Sequence, residues 1–450
     1  MTATTVPVTK ANAPATKREI FSWALFDFAN SSFTTVVITA VYSRFFTEQI
    51  VPKESGLRDT YWSAAIVIAT VIALLLSPLL GLMSDLAALK KHFLVLSAVV
   101  CSSATAALYF AAPGEITIAI FCIVIASVGF MFSENFCASF LPEIATPSTM
   151  SKISGMGWAV GYFGGLASLV IVMFLVSADP ATELPRYVSQ TQLAMVATGG
   201  FFMVAATPAF LFLKNRQRPR PGYETLNATK LVNLASSAMR DFVHSLGRIR
   251  ERPGLAGFFL AFMVYMAGMD AVIKFVGIYA SSELRLTGSE LTILFLELQL
   301  SAAAGAFGFG FLEAKLGPKR NVELSLVLWI IGILMIFLLP NLESVTGLSQ
   351  KSLFLGIALL TGTALGATQS SSRAIVGLLT PASESGEMFG YWGFFMKLAT
   401  ILGMLFGVTS DALGSRRMAL LLVLAFFILG IFLLARVKLP SDLTKERGVS

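Results

Sequence analysis

The sequence predicts an all-α polytopic membrane protein, with twelve transmembrane helices arranged as two six-helix pseudo-repeats. Three observations carry that prediction. Hydrophobic residues make up 56% of the 450 positions and charged residues only 13%, a balance that ordinary soluble domains do not reach. Apolar stretches of spanning length follow one another along the whole chain. A short turn carrying glycine, an acidic position and a basic pair recurs after 229 residues, once in each half.

The spans are expected at 20–47, 60–84, 93–112, 115–140, 151–177 and 190–213, then at 255–281, 288–313, 321–340, 351–379, 385–411 and 416–437. The first contains WALFDFANSS at 23–32 and so sets a carboxylate, Asp27, inside an apolar helix. At helical spacing Trp23, Asp27, Asn30, Ser31 and Thr34 share one face. A carboxylate at membrane depth costs about 2.5–3.5 kcal/mol on insertion scales. Asp27 is therefore expected to face a wet cavity or a partner; a structural ion pair is the plainer alternative.

The second span ends in Gly81-Leu-Met-Ser-Asp85, followed by Lys90 and Lys91, and the eighth ends in Gly310-Phe-Leu-Glu-Ala314, followed by Lys319 and Arg320. Asp85 can accept from a helix N-terminus or a basic neighbour in one conformation and release it in another. Gly81, Asp85, Lys90, Lys91, Gly310, Lys319 and Arg320 are accordingly gating candidates. Ala314 removes the acid from the second copy, with Glu313 beside it. The fifth span carries Gly157, Gly161 and Gly165, and the eleventh Gly403 and Gly407. Such small faces allow close helix approach.

Further polar residues interrupt the spans. The fourth holds Ser133, Glu134 and Asn135, the seventh Tyr265, Asp270 and Lys274, the eighth Glu297 and Gln299. The tenth holds Gln369 and Arg373, the eleventh Tyr391, Trp392 and Lys397. Asp27, Glu134, Asp270 and Glu297 nearly balance Lys274, Arg373 and Lys397, which favours a polar interior crossed by ion pairs. The substrate-binding candidates are Trp23, Asp27, Asn30, Ser31, Glu134, Tyr265, Asp270, Lys274, Gln369 and Arg373. An acid would meet an ammonium group, Arg373 a carboxylate, and Trp23 and Tyr265 would stack over the solute. Asp27 and Glu134 are the candidates for carrying a coupling proton, a purely structural role being the alternative for each.

The polar stretch 214–253 divides the spans six and six. This gives a tail at 1–19, a lobe at 20–213, a linker at 214–253, a lobe at 254–437 and a tail at 438–450. Within the linker, apolar residues at helical spacing over 227–250 predict an amphipathic helix on the inner leaflet. An even number of spans places both termini on one side, where roughly 22 Lys and Arg gather against roughly 7 on the other. Both termini are thus expected in the cytoplasm, with a bacterial inner membrane as the location. Residues 1–19 lack a separate apolar core, so the first span itself is expected to direct insertion.

Two His and three Cys (Cys101, Cys122 and Cys137, all in apolar runs) offer no metal or disulfide framework. No Walker loop, zinc-ligand pair or nucleophile elbow is present. The expectation is a protein that is not an enzyme and needs no cofactor or metal. The net charge of +7 follows from cytoplasmic loops and calls for no nucleic acid. The expected partners are a small-molecule substrate, the lipid bilayer and protons, with the chain as a monomer.

Four blocks add a family resemblance: WALFDFANSSF at 23–33, SGMGWAVGYFGG at 154–165, QSSSRA at 369–374 and EMFGYW at 387–392. With the turn at 81–91, they make the chain similar to the major facilitator superfamily. Within it the chain resembles the vacuole-effluxer branch related to the autophagy vacuolar amino-acid exporters. In the turn, Leu86 stands where the superfamily pattern has Arg, and Ala88 where it has Gly. The resemblance implies a twelve-helix carrier whose central cavity is lined mainly by helices 1, 4, 7 and 10, with Asp27, Asn30, Glu134, Asp270, Gln369 and Arg373 near it. In the eukaryotic relatives it implies amino-acid efflux from a vacuole. Lys274 and Glu297 depart from the pattern; they fit a charged substrate or, preferably, one ion pair between neighbouring helices. The leading reading is a secondary active transporter of a small polar organic solute, an amino acid or other zwitterion. A lipid or amphiphile carrier of the same fold and a non-transporting membrane sensor are the alternatives.

Overall fold

The computed structural model describes residues 14–52, 57–221, 223, 236 and 253–437. Among them are 12 helices long and apolar enough to cross a membrane. They are α1 (Lys17–Ile50), α2 (Thr60–Leu86), α3 (Lys90–Phe110), α4 (Ile116–Ile144), α5 (Met150–Leu175) and α6 (Leu184–Phe212). After the linker come α7 (Gly254–Ser282), α8 (Ile293–Glu313), α9 (Pro318–Phe337), α10 (Gln350–Leu379), α11 (Ala382–Leu413) and α12 (Arg416–Ala435). The surface helix expected over 227–250 lies outside the described residues, Ser236 apart, as do 1–13 and 438–450.

Local chemistry sets the ends. The Thr16 hydroxyl accepts from the Glu19 N–H at the start of α1 (3.2 Å), satisfying one of the orphan donors of a first turn. Gly414, at φ +61°, makes the left-handed turn from α11 into α12, where Ser415 caps the next helix. Two features depart from the expected spans. The region ending at 340 is two helices, α9 and a short one at Leu339–Thr346, because Pro340 suits only the first turn of a new helix. α1 is also uneven: Phe33–Ala40 and Phe46–Ile50 wind more widely, with the Val41 N–H reaching back five residues to the Val36 carbonyl (3.0 Å). The β-branched run Thr34-Thr35-Val36-Val37-Ile38-Thr39 crowds a regular turn there.

α1–α6 close on one apolar core, with Trp23, Phe26, Phe33 and Phe45 fully buried, and α7–α12 on a second around Phe258, Phe259 and Tyr265. Large exposed side chains such as Phe121, Phe174 and Val204 cover the outside, a surface suited to acyl chains. In lipid, helices associate through close packing and hydrogen bonds rather than water exclusion. The lobes meet through α2 against α11, α5 against α8 and α10, and α4 against α11. Gly81 of α2 stands against the backbone of Gly386 in α11, and Gly155 of α5 against Ala306 in α8. These contacts lie in the halves of the spans nearest the linker, so that face of the molecule is closed.

Candidate functional site

Within the spans, the first and the tenth are joined by an ion pair. Arg373 Nη1 lies 2.8 Å from Asp27 Oδ2, their side chains 3% and 14% exposed. The guanidinium also donates from Nε to Ser154 Oγ (3.2 Å) and from Nη2 to the Ser154 carbonyl (2.9 Å). It stacks over the indoles of Trp23 and Trp158, 4.8 and 5.2 Å from the ring centres. The pairing needs Gly157: a Cβ there would stand 2.6 Å from both Arg373 Nη2 and Asp27 Oδ2. The Trp23 indole N–H donates to the Cys137 carbonyl (2.7 Å), fixing the ring between α1 and α4. Ser133 donates to Asn30 Oδ1 (2.8 Å), and Ser31 donates within its own helix to the Asp27 carbonyl (2.9 Å).

The α5–α10 contact continues this polar seam across the lobes. Ser154 donates to the Ser370 carbonyl (2.7 Å), and the Tyr162 hydroxyl donates to Gln369 Oε1. The structure thus gathers Trp23, Asp27, Asn30, Gln369 and Arg373 around one cross-lobe junction. Tyr265 stands apart, fully buried inside the second lobe with its hydroxyl 2.7 Å from Ser372 Oγ.

A second group of charges lies between α4, α7 and α11. Lys274 Nζ is 2.7 Å from Asp270 Oδ2, and Thr400 donates to Asp270 Oδ1 (3.2 Å). This corrects the ion pair preferred between Lys274 and Glu297. A helical step of four residues brings Asp270 within reach of Lys274, while Glu297 Oε2 is buried with no hydrogen-bond partner among the described residues. Glu134 is half-buried, and the charges acting on it are Lys397, Asp27 and Arg373.

On the linker face, Asp85 caps the start of α11 from the other lobe. Its Oδ1 accepts from the Gly386 N–H (2.9 Å) and its Oδ2 from the Glu387 N–H (2.8 Å), both donors at a helix N-terminus. Lys90, wholly buried, donates to Ser385 Oγ (2.6 Å) and to Glu143. Lys91 binds the Leu213 carbonyl at the end of α6 (2.7 Å). In the second repeat Glu313 takes the place that Ala314 leaves empty of charge: it accepts from Ser151 Oγ at the start of α5. Gly310 packs against Gly155, while Lys319 donates to the Ala435 and Val437 carbonyls (2.9 and 2.8 Å). Lys319 therefore ties α9 to the end of α12 within one lobe, and Arg320 is exposed; among the described residues neither bridges the lobes.

The linker's first residues add to these contacts across the lobes. Gln217 Nε2 donates to Asp85 Oδ1 (2.9 Å) and to the Ala382 carbonyl of the other lobe (2.7 Å). Arg216 forms a two-bond pair with Glu19 (2.6 and 2.8 Å), and that hydrogen bonding pushes its guanidinium above its ordinary range. A cavity of about 490 Å³ opens here, lined by Asp85, Glu143, Arg216, Gln217 and Arg218 among others. Sequence reasoning passed over Ser154, Trp158 and Gln217. The first two were findable, since Ser154, Gly157, Trp158 and Gly161 share the helix face that carries the fifth-span glycines; Gln217 sits in a polar stretch without periodicity.

A family model described as vacuole effluxer Atg22 like matches residues 60–445. The MFS-type transporter YxiO of Bacillus subtilis is 26% identical over 436 residues, covering 95% of this chain and 97% of that protein. Autophagy-related protein 22 of Vanderwaltozyma polyspora is 23% identical over 298 residues, 62% of this chain and 55% of its own length. The chain thus spans about half the length of that fungal relative. Among solved structures, the MFS proton:xylose symporter XylE superposes with a TM-score of 0.70 at 13% identity, over 94% of this chain and 96% of that one.

Proposed function

We propose, from the premise that this chain belongs to the Atg22-like vacuole effluxer family, that it is a secondary active carrier of a small polar solute. The solute is an amino acid or other zwitterion, moved by alternating access between the two six-helix lobes. One observation carries this reading: a buried charge pair, Asp27–Arg373, joins the lobes within the spans while the linker face is closed by hydrogen bonds from Asp85 to the start of α11. A static scaffold gains little from such a pair, since well-packed apolar residues stabilise a buried junction as well or better. A pair that must break and re-form suits a junction with two states.

In this reading Asp85 and Glu313 latch the linker face, and release of their helix-terminal donors opens it. Asp27 or Glu134 carries a coupling proton, the energy coming from an ion gradient. The protein works as a monomer in a bacterial inner membrane, both termini cytoplasmic, in keeping with the Lys and Arg asymmetry. The test is uptake of labelled amino acids into vesicles holding the purified protein, with and without an imposed pH gradient. Gradient-driven uptake is expected, reduced at least tenfold in Asp27→Asn. Equal uptake by empty vesicles would refute transport, and equal uptake by Asp27→Asn would remove Asp27 from coupling.

A further inference from the structure

Among the described residues, Glu134, Glu297 and Lys397 are charged side chains within the spans that have no ion-pair partner. Lys397 lies on the α11 face that meets the other lobe. Along that face Gly386 and Gly390 stand against α2, Gly393 against Asn135 of α4, and Lys397 is the next position. The small residues let α11 close on the first lobe, and a long ammonium side chain enters where that contact ends. Lys397 is only 5% exposed. Among the described residues no carboxylate comes within 4.0 Å of its Nζ, and its contact is Met396 Sδ at 4.0 Å. A buried cation without a counter-charge is costly, and at membrane depth it marks a site that something else completes.

The charges acting on Lys397 are Glu134 of α4 and Asp270 and Lys274 of α7. Asp270 is committed to Lys274 and Thr400. Glu134 is not committed: it makes no hydrogen bond to a described residue and is reached by solvent. Arg373, which also acts on it, is held by Asp27 and Ser154. An uncommitted carboxylate on α4 of one lobe and an uncommitted ammonium on α11 of the other thus belong to two helices in contact, beyond ion-pair distance of each other. Asp27, Glu134 and Asp270 balance Arg373, Lys397 and Lys274, and a solute carrying both charges keeps that balance among the six.

Building on the transport reading above, we propose that Glu134 and Lys397 form the clamp that recognises the solute, Glu134 receiving its ammonium and Lys397 its carboxylate. Asp27–Arg373 is then the latch beside the clamp. Occupancy draws α4 and α11 together from opposite lobes, so binding itself biases the lobe arrangement.

The test uses the purified full-length protein, thermal melting and vesicle uptake. The probes are L-amino acids of each side-chain class and glycine betaine, with matched amines lacking the carboxylate and matched acids lacking the ammonium. The best zwitterion should bind wild type at least 30-fold more tightly than either single-charge analogue, the loss expected when a buried charge loses its partner. Lys397→Met should weaken zwitterion binding by a similar factor while leaving the amine's affinity unchanged. Glu134→Gln should do the reverse, sparing the acid; a merely structural role for either residue predicts no such crossed pattern. Should one variant fail to fold, the other decides, through whether it loses the preference for the zwitterion over its matched single-charge analogue. Zwitterion binding that both variants retain, or analogues that bind wild type equally well, overturns the clamp and leaves the transport reading intact. If no zwitterion binds or is transported by wild type, both fall.

Discussion

Removing the charge of Asp27 tests the two-state junction most directly. Breaking a buried pair by neutralising one partner costs about 3–5 kcal/mol. Asp27 is 14% exposed, and Arg373 would keep Ser154 and two indole faces; a loss of about 2–3 kcal/mol is the better figure. Because the pair joins α1 to α10, that loss falls on the arrangement closed at the linker face. It should shift the opening equilibrium by about 30- to 150-fold. Ser84, fully buried at the α2–α11 contact beside Gly386, reports that opening. In a Ser84→Cys background, with the native cysteines all buried, a membrane-impermeant maleimide should label Asp27→Asn faster by that factor. Arg373→Gln should act alike, and the double variant should cost much less than the two singles combined. A labelling rate changed less than twofold, or single effects that simply add, would refute the argument.

Three further outcomes follow from local geometry. Gly157→Ala places a methyl 2.6 Å from both charged groups and should cost about 1–3 kcal/mol; Gly161→Ala, whose nearest neighbour is Ser31 Oγ at 3.1 Å, should cost less, and melting temperatures in detergent rank the two. Ala88 holds φ +53° in the turn after α2, where an L side chain is strained by about 1 kcal/mol relative to glycine; Ala88→Gly should therefore raise the melting temperature, and an unchanged one removes the strain. Arg216→Ala leaves Glu19, its side chain 2% exposed, without its two-bond partner and should destabilise by about 2–4 kcal/mol, checked by denaturant or thermal unfolding of the full chain.

Within the site, legibility follows the helical period. That period put Trp23, Asp27 and Asn30 on one face of α1, and in the structure all three take partners from α4 or α10 on that side. It put Asp270 and Lys274 one turn apart, where they pair. What the period cannot supply is the rotation of one helix against another. Hence Glu297 lies near Lys274 in chain order yet does not meet it, and Tyr265, polar and aromatic, turns into the second core. The widened turns of α1 add to this, since each extra residue per turn rotates everything beyond it.

By itself the sequence determined the number and order of the membrane spans, the division into two halves and the set of polar residues they carry. Apolarity over about twenty residues and a 3.6-residue period are local properties, and lipid leaves a backbone no other way to satisfy its hydrogen bonds. Only the tertiary structure decided which charges meet: Arg373 and Asp27 are 346 residues apart, Gln217 bridges the lobes from inside the linker, and Glu134 and Lys397 are left without an ion pair. Those pairings depend on how glycine and serine faces let α2, α4, α5 and α11 approach across the lobes, a property of packed surfaces that no single segment contains.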